Sequence, residues 1–110
     1  MPDRTIERIR EEIAEANIPD SRKDQLLDLV DELKEELDKI AAEHHDDAVH
    51  IATHAEELSK AATDENGVDQ EQVEVSAAEL RDAVSDFEIT HPQLVKVING
   101  ISMMLSNLGI

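Results

Sequence analysis

The stretch that decides the fold is residues 91–110, HPQLVKVINGISMMLSNLGI. It carries one charged side chain, Lys96, although 34% of the whole chain is charged. Its apolar residues recur at steps of three and four, which is the spacing of one face of an α-helix. This face consists of Leu94, Ile98, Ile101, Leu105 and Leu108, widened by Met104. A helix this apolar is normally covered by protein on most of its sides.

The strongest compositional feature is the net charge of −17, from 27 Asp and Glu against ten Lys and Arg. It argues against direct binding to nucleic acid or to an anionic membrane, because both require a cationic surface. Three interpretations remain: a solvated surface that keeps a small protein soluble, adaptation to a salty cytoplasm, or an acidic surface that binds a basic protein.

Two further absences in the sequence narrow the class of protein. The chain has no Cys, which excludes disulfides, thiolate metal sites and Cys nucleophiles and agrees with a reducing, cytoplasmic location. No stretch approaches the roughly 20 apolar residues of a transmembrane helix. We therefore expect a cytoplasmic protein that does not enter the membrane.

Apolar residues at helical spacing predict an all-α protein with a single domain over residues 1–110. Pro19, Gly67 and Pro92 mark the ends of helical segments, because Pro disfavours helical geometry in the preceding residue and Gly accepts the conformation that ends a helix. The longest segment contains neither Gly nor Pro and would extend for roughly 60 Å at 1.5 Å per residue. The predicted helices cover residues 4–16, 22–63, 70–88 and 92–107.

The lengths of these helices predict an elongated antiparallel hairpin with one long central helix. The third and fourth helices together are about as long as the second, so they would return along it. Two helices side by side cannot cover an apolar fourth helix. A second copy of the chain would cover it and complete a four-helix bundle about a two-fold axis; the first helix, folded back, is the alternative cover. The sequence therefore predicts a homodimer whose interface is the apolar face of the last helix.

Two segments near the end of the chain, FEITHPQL (residues 87–94) and LSNLGI (residues 105–110), form a recognisable phrase. It resembles the ending F-E-x-x-H-P-x-L … L-x-N-x-G-I of a family of small bacterial helical proteins catalogued as a domain of unknown function. The resemblance covers the last quarter of the chain. It implies a helix that begins at His91-Pro92 and a chain that is complete at Ile110, and it implies no activity.

Four of the five His residues lie in the stretch EHHDDAVHIATH, residues 43–54. On a continuous helix, Asp47, His50 and His54 stand one above another at steps of three and four, and Glu43 extends the row by one turn. A His pair four residues apart, with a carboxylate on the same face, can hold Zn²⁺ or another divalent ion. The alternative is a polar, solvated helix face in a chain already rich in carboxylates.

No motif in the sequence predicts catalysis: there is no nucleophile elbow and no Gly-rich phosphate loop. Glu88 and His91 have the Glu-x-x-His spacing of di-iron bundles, but Pro92 follows at once and indicates a turn in which His91 caps a helix. His44 lies in the apolar row of the second helix, where a hydrogen-bonded or pH-sensitive core residue is expected. The sequence predicts no catalytic residue and no cofactor other than a divalent metal.

The predicted function is that of a non-enzymatic, self-associating structural or interaction protein. In this hypothesis the last helix buries its apolar face between copies, so Ile101→Asp should break the assembly. The acidic outer faces would keep the assembly soluble or bind a basic protein. A second hypothesis is a divalent-metal-binding helical protein that uses Asp47, His50 and His54. A third is an acidic inhibitor or DNA mimic that binds a basic protein.

Overall fold

The computed structural model describes residues 2–108, and its regular secondary structure is helical. The helices are α1 (Pro2–Glu15), α2 (Asp20–Ala41), α3 (His45–Ala62), α4 (Gln70–Ala83) and α5 (Pro92–Ser106), with a short 3-10 helix, Ser85–Phe87, before α5. No strand occurs in this part of the chain, which confirms the predicted all-α class. No helix within it is long and apolar enough to cross a membrane. Gly109 and Ile110, the end of the quoted phrase, lie outside the described residues.

The predicted long helix over residues 22–63 is wrong, because helical geometry stops between α2 and α3. Two successive N–H groups, of Glu43 and His44, both donate to the carbonyl of Ile40, at 3.2 and 2.7 Å, and close the last turn of α2. His44 then adopts φ −132° and ψ 53°, which turns the chain out of the helical path. Its side chain is 44% exposed, so the predicted core position of His44 is also wrong.

The physical reason for this break is packing against a distant turn. The His44 ring meets the Phe87 ring edge-on, with 5.5 Å between centroids, and Phe87 is only 7% exposed. The ring of His91 also contacts that of Phe87, with 5.7 Å between centroids. These contacts hold the α2–α3 turn against the turn that precedes α5. The molecule consequently measures 38 × 23 × 21 Å, and the predicted elongated hairpin is wrong.

The five helices pack around one apolar core in the ring order α1, α3, α4, α5, α2. Each helix contacts its two neighbours in this ring, and α3 also contacts α2 and α5 across the centre. The core consists of Ile, Leu, Val and Ala side chains, with Phe87 as its single aromatic residue. This composition follows from a chain with one aromatic residue, since aliphatic side chains must then fill the space between helices.

The apolar last helix is covered within one chain. Leu94, Ile98, Ile101 and Leu105 are at most 1% exposed, because α2 and α4 flank α5 while α3 contacts it across the core. The break between α2 and α3 provides the additional covering helix that a two-helix hairpin lacks. The face predicted to be an interface is therefore already occupied, and it gives no reason for a second copy. Its remaining members, Met104 and Leu108, are half-buried.

The turn between α3 and α4 follows ordinary turn chemistry. Gly67 has φ 122°, a left-handed conformation that Gly adopts without a steric penalty. Asp69 then caps α4, because its carboxylate accepts from the N–H groups of Glu71 and Gln72 at 3.0 and 3.4 Å. Gln70 ties this end of α4 to the end of α5, since its Nε2 donates to the carbonyl of Ser106 at 2.7 Å.

Candidate functional site

The predicted metal row on residues 43–54 is not assembled. Asp47 lies in the first turn of α3, and Glu43 lies in the turn before it instead of one helical turn above. The Oδ2 atom of Asp47 is 3.6 Å from Nδ1 of His44, a residue outside the predicted row. Within residues 2–108, no group of three or more His, Cys, Asp or Glu side chains is placed to hold a metal ion.

The two other members of that row, His50 and His54, contact each other through their rings. The rings meet edge to face with 4.4 Å between centroids. The Nδ1 atom of His54 lies 3.5 Å from Oε2 of Glu57, yet it is buried and has no aligned hydrogen-bond partner. The pair is thus arranged by ring packing and by a neighbouring carboxylate on α3, and Asp47 does not join it.

A polar cluster that the sequence did not predict lies between α1 and α3. Arg8 donates to both carboxylate oxygens of Glu56, from Nε at 2.8 Å and from Nη2 at 3.1 Å. Lys60 Nζ lies 3.9 Å from the same carboxylate. The Glu56 side chain is only 10% exposed, so the two-pronged contact from Arg8 compensates a charge that has lost most of its water.

Glu12 lies one turn along α1 from Arg8 and has no comparable partner. Its Oε1 atom is buried without a hydrogen-bond partner, and so is the Oγ atom of Ser59 on α3. Burial raises the pKa of Glu12 above its ordinary value of 4.5, and the Glu56 charge adds to the rise. Ser59, Lys60 and Arg8 offset part of it.

The pKa values of the two carboxyl groups in this cluster are shifted in opposite directions. The hydrogen bond from Arg8 lowers the pKa of Glu56, against the effect of its burial. When one proton is available to the pair, it therefore resides on Glu12, and Glu56 keeps its charge. Such a division marks acid–base pairs in enzymes, but it also arises in structural ion-pair networks. Because Arg8 and Glu56 are 48 residues apart, no local spacing in the sequence could have revealed the cluster.

A cleft of about 370 Å³ lies at one end of the bundle and shares no lining residue with this cluster. It is formed by the α1–α2 turn, the end of α3 and Leu108, and its acidic lining residues are Glu15, Asp64 and Glu65. No His, Ser, Lys or Arg lines it. The cleft therefore has no basic side chain to pair with its carboxylates, and it does not have the convergent polar groups of a typical ligand site.

The surface of α5 that faces solvent differs from every other helix surface in the described residues. Each of α1 to α4 contains Asp or Glu, whereas residues 89–110 contain neither. Met103 is 62% exposed on this surface, and Lys96 is the one charged side chain of α5. Val95 and Met104 are half-buried at its edges. We define the α5 outer face as the exposed residues Gln93, Lys96, Asn99, Met103 and Asn107.

A family model described as a domain of unknown function (DUF4404) matches residues 26–110. The match begins within α2 and includes α3, α4 and α5, so it contains the break between α2 and α3 and the α5 outer face, but not α1. No curated protein and no solved structure matches the chain.

Proposed function

The chain belongs to the DUF4404 family, a domain of unknown function, over residues 26–110, and we propose that it is a non-enzymatic interaction protein that self-associates through the α5 outer face. The observation that carries this proposal is the absence of carboxylates from that face in a chain with a net charge of −17. The occupant of the face is a second copy of the chain, which presents the same neutral surface.

Electrostatic repulsion selects this face over the others. Two copies with a charge of −17 each repel one another wherever their acidic surfaces approach. At physiological ionic strength salt screens this repulsion beyond about 8 Å, so it acts mainly between carboxylates that lie close to the contact. An approach through α5 brings together the helix that, among α1 to α5, carries no carboxylate of its own. Raising the salt concentration should therefore strengthen the association.

The side chains of the α5 outer face suit a helix–helix contact. Met103 supplies an exposed apolar side chain that adapts its shape to a partner, and Met is enriched in protein interfaces. Gln93, Asn99 and Asn107 each carry a donor and an acceptor that can pair across a two-fold axis. Lys96 can reach carboxylates on helices that flank α5 in the second copy, which would fix the relative orientation of the two chains.

Met103→Asp is expected to abolish this association. It places a carboxylate at the apolar centre of the contact in each copy, and we expect a loss of about 2 kcal/mol of association free energy, which is roughly 30-fold in Kd. Sedimentation velocity over a concentration series, supported by native mass spectrometry of protein purified without a metal column, measures the effect. The matched control is Ile89→Asp, which adds the same charge at an apolar residue that is 93% exposed but precedes α5.

The control variant should associate as the wild-type chain does, and both variants should keep the wild-type circular dichroism spectrum, because each change is at an exposed side chain. Equal loss of association in both variants would mean that net charge alone, and not the α5 outer face, controls it. A wild-type chain that sediments as a single copy at every concentration tested, in low and in high salt, would refute self-association.

A further inference from the structure

α1 closes the bundle from outside the region that the family model matches. It contacts α2 and α3 but neither α4 nor α5. Its apolar face, formed by Ile6, Ile9 and Ile13, is at most 2% exposed and fills the groove between α2 and α3. A short turn, residues 16–19, joins it to α2. Release of α1 would consequently leave every other helix–helix contact of the bundle in place.

Polar side chains of α1 are paired on the side that faces α2 but only partly paired on the side that faces α3. On the α2 side, Arg10 pairs with Asp31 and also donates to the carbonyl of Leu27 at 3.4 Å. On the α3 side, Arg8 neutralises Glu56, and the next turn has no such pairing. Two of the four buried side-chain polar atoms that lack a partner in the described residues lie there, Glu12 Oε1 and Ser59 Oγ. The third and fourth are on His54 and Ser102.

We propose that α1 acts as a strap, meaning a helix that docks reversibly on α3, and that proton uptake by Glu12 strengthens this docking. The groups that act on the Glu12 charge are Arg8 on α1 and Glu56, Ser59 and Lys60 on α3. The Ser59 hydroxyl can serve both forms of Glu12: it accepts the carboxyl hydrogen of a protonated Glu12, and it donates to an ionised Glu12, which offsets part of the raised pKa. The protonated form adds no charge to the partly buried site. An ionised Glu12 instead leaves a second negative charge beside Glu56 in a partly buried site.

The sign of the pH dependence follows from the direction of the pKa shift. The pKa of Glu12 is raised above 4.5 in the docked state, so docked α1 binds the proton more strongly than released α1 does. This contribution to docking is fully present below the ordinary pKa of 4.5 and is lost as the pH rises through the raised pKa. The lowered pKa of Glu56 acts in the opposite direction and keeps the Arg8 pair intact until the solution is more acidic. The strap is therefore tighter in mildly acidic than in neutral solution.

Hydrogen exchange of the α1 amides in the full chain tests this proposal, measured between about pH 5 and pH 8 and corrected for the intrinsic pH dependence of exchange. In the wild-type chain the opening of α1 should increase severalfold as the pH rises, while amides of α4 and α5, which do not touch α1, should show no such change. Glu12→Gln is neutral at every pH and of similar size. It should hold α1 closed at neutral pH and remove the pH dependence.

The matched control is Glu11→Gln, which removes the same charge from an exposed position of the same helix and should retain the wild-type pH dependence. Ser59→Ala provides a second variant without changing the charge. The Ser59 hydroxyl lowers the pKa of Glu12, so its removal should keep the pH dependence and move it to higher pH. The proposal is overturned if the opening of α1 is independent of pH in the wild-type chain, or if Glu11→Gln and Glu12→Gln have equal effects. These outcomes do not depend on whether the chain self-associates, since α5 is not part of the strap.

Discussion

Ile101→Asp is expected to unfold the chain and not only to separate copies of it. Ile101 is 1% exposed in the middle of α5, where the chain itself covers it. The substitution removes a packed aliphatic side chain and places an unpaired carboxylate in the core, which together cost about 4 kcal/mol or more. That is a large share of the stability of a small domain, which is about 5–15 kcal/mol. Urea denaturation followed by far-UV circular dichroism should show a chain with little or no folded baseline.

The control for this prediction lies on the opposite side of the same helix. Met103→Asp introduces the same charge two residues away, but Met103 is 62% exposed. We expect its free energy of unfolding to stay within about 0.5 kcal/mol of the wild-type value. If Ile101→Asp were as stable as Met103→Asp and differed from the wild type only in being a single copy, the apolar face of α5 would be an interface between copies, as the sequence alone predicts.

Ile13→Ala is expected to have the second largest effect, a loss of about 3 kcal/mol in the free energy of unfolding. Ile13 is fully buried between α1 and the α2–α3 groove, and truncation to Ala leaves a cavity that the rigid neighbouring helices cannot close. The prediction matters because α1 lies outside the family-matched residues, so the size of the effect reports whether α1 is part of the cooperative folding unit. Equilibrium urea denaturation, monitored by circular dichroism, gives the value.

Val75→Ala serves as the comparison for that experiment. Val75 is 48% exposed on α4, and its truncation should change the stability by less than about 0.5 kcal/mol. An Ile13→Ala variant as stable as Val75→Ala, with a single sharp transition, would show that α1 contributes little to the fold. A separate early transition confined to Ile13→Ala would place α1 in an independent unit that melts before the core.

Much of the fold could be predicted from local spacing. The apolar faces of α1 and α5 recur at steps of three and four, and all of Ile6, Ile9, Ile13, Leu94 and Ile98 are buried as that spacing indicates. Gly67 and Asp69 mark the turn before α4 because one accepts a left-handed backbone and the other caps a helix. These features depend on residues within one or two turns of each other, which a sequence shows directly.

The break between α2 and α3 could not be predicted in this way. The apolar row continues from Ile40 through His44 to Ala48 at steps of four, with no Gly or Pro between them. The contact that stabilises the break joins His44 to Phe87, which is far away in the chain. A continuous row of apolar residues is compatible both with one long helix and with two helices that fold back on each other. Because the chain breaks between α2 and α3, it forms a compact bundle instead of the predicted hairpin. The bundle buries the apolar face of α5 within one chain, so that face gives no reason for an interface.

The polar cluster was missed for a related reason. Arg8 and Glu56 are charged residues of amphipathic helices, and nothing in the local sequence shows that Glu56 is buried. Its burial depends on how α1 lies across α3, which is a property of the packed bundle. The predicted metal row, Asp47, His50 and His54, lies on α3, and only its extension to Glu43 required the helix to continue before His45. Within residues 2–108 these side chains do not form a group of three placed to hold a metal ion.

The claim that one chain covers its own α5 is tested most directly by hydrogen exchange of the α5 amides. The measurement is made under dilute conditions in which native mass spectrometry shows a single copy of the chain. If one chain covers its own last helix, the amides at Leu94, Ile98, Ile101 and Leu105 should be as strongly protected as those in the buried parts of α2 and α3, and dilution should not weaken that protection. If α5 requires a second copy, these amides should exchange rapidly in the single chain and become protected only as the concentration rises.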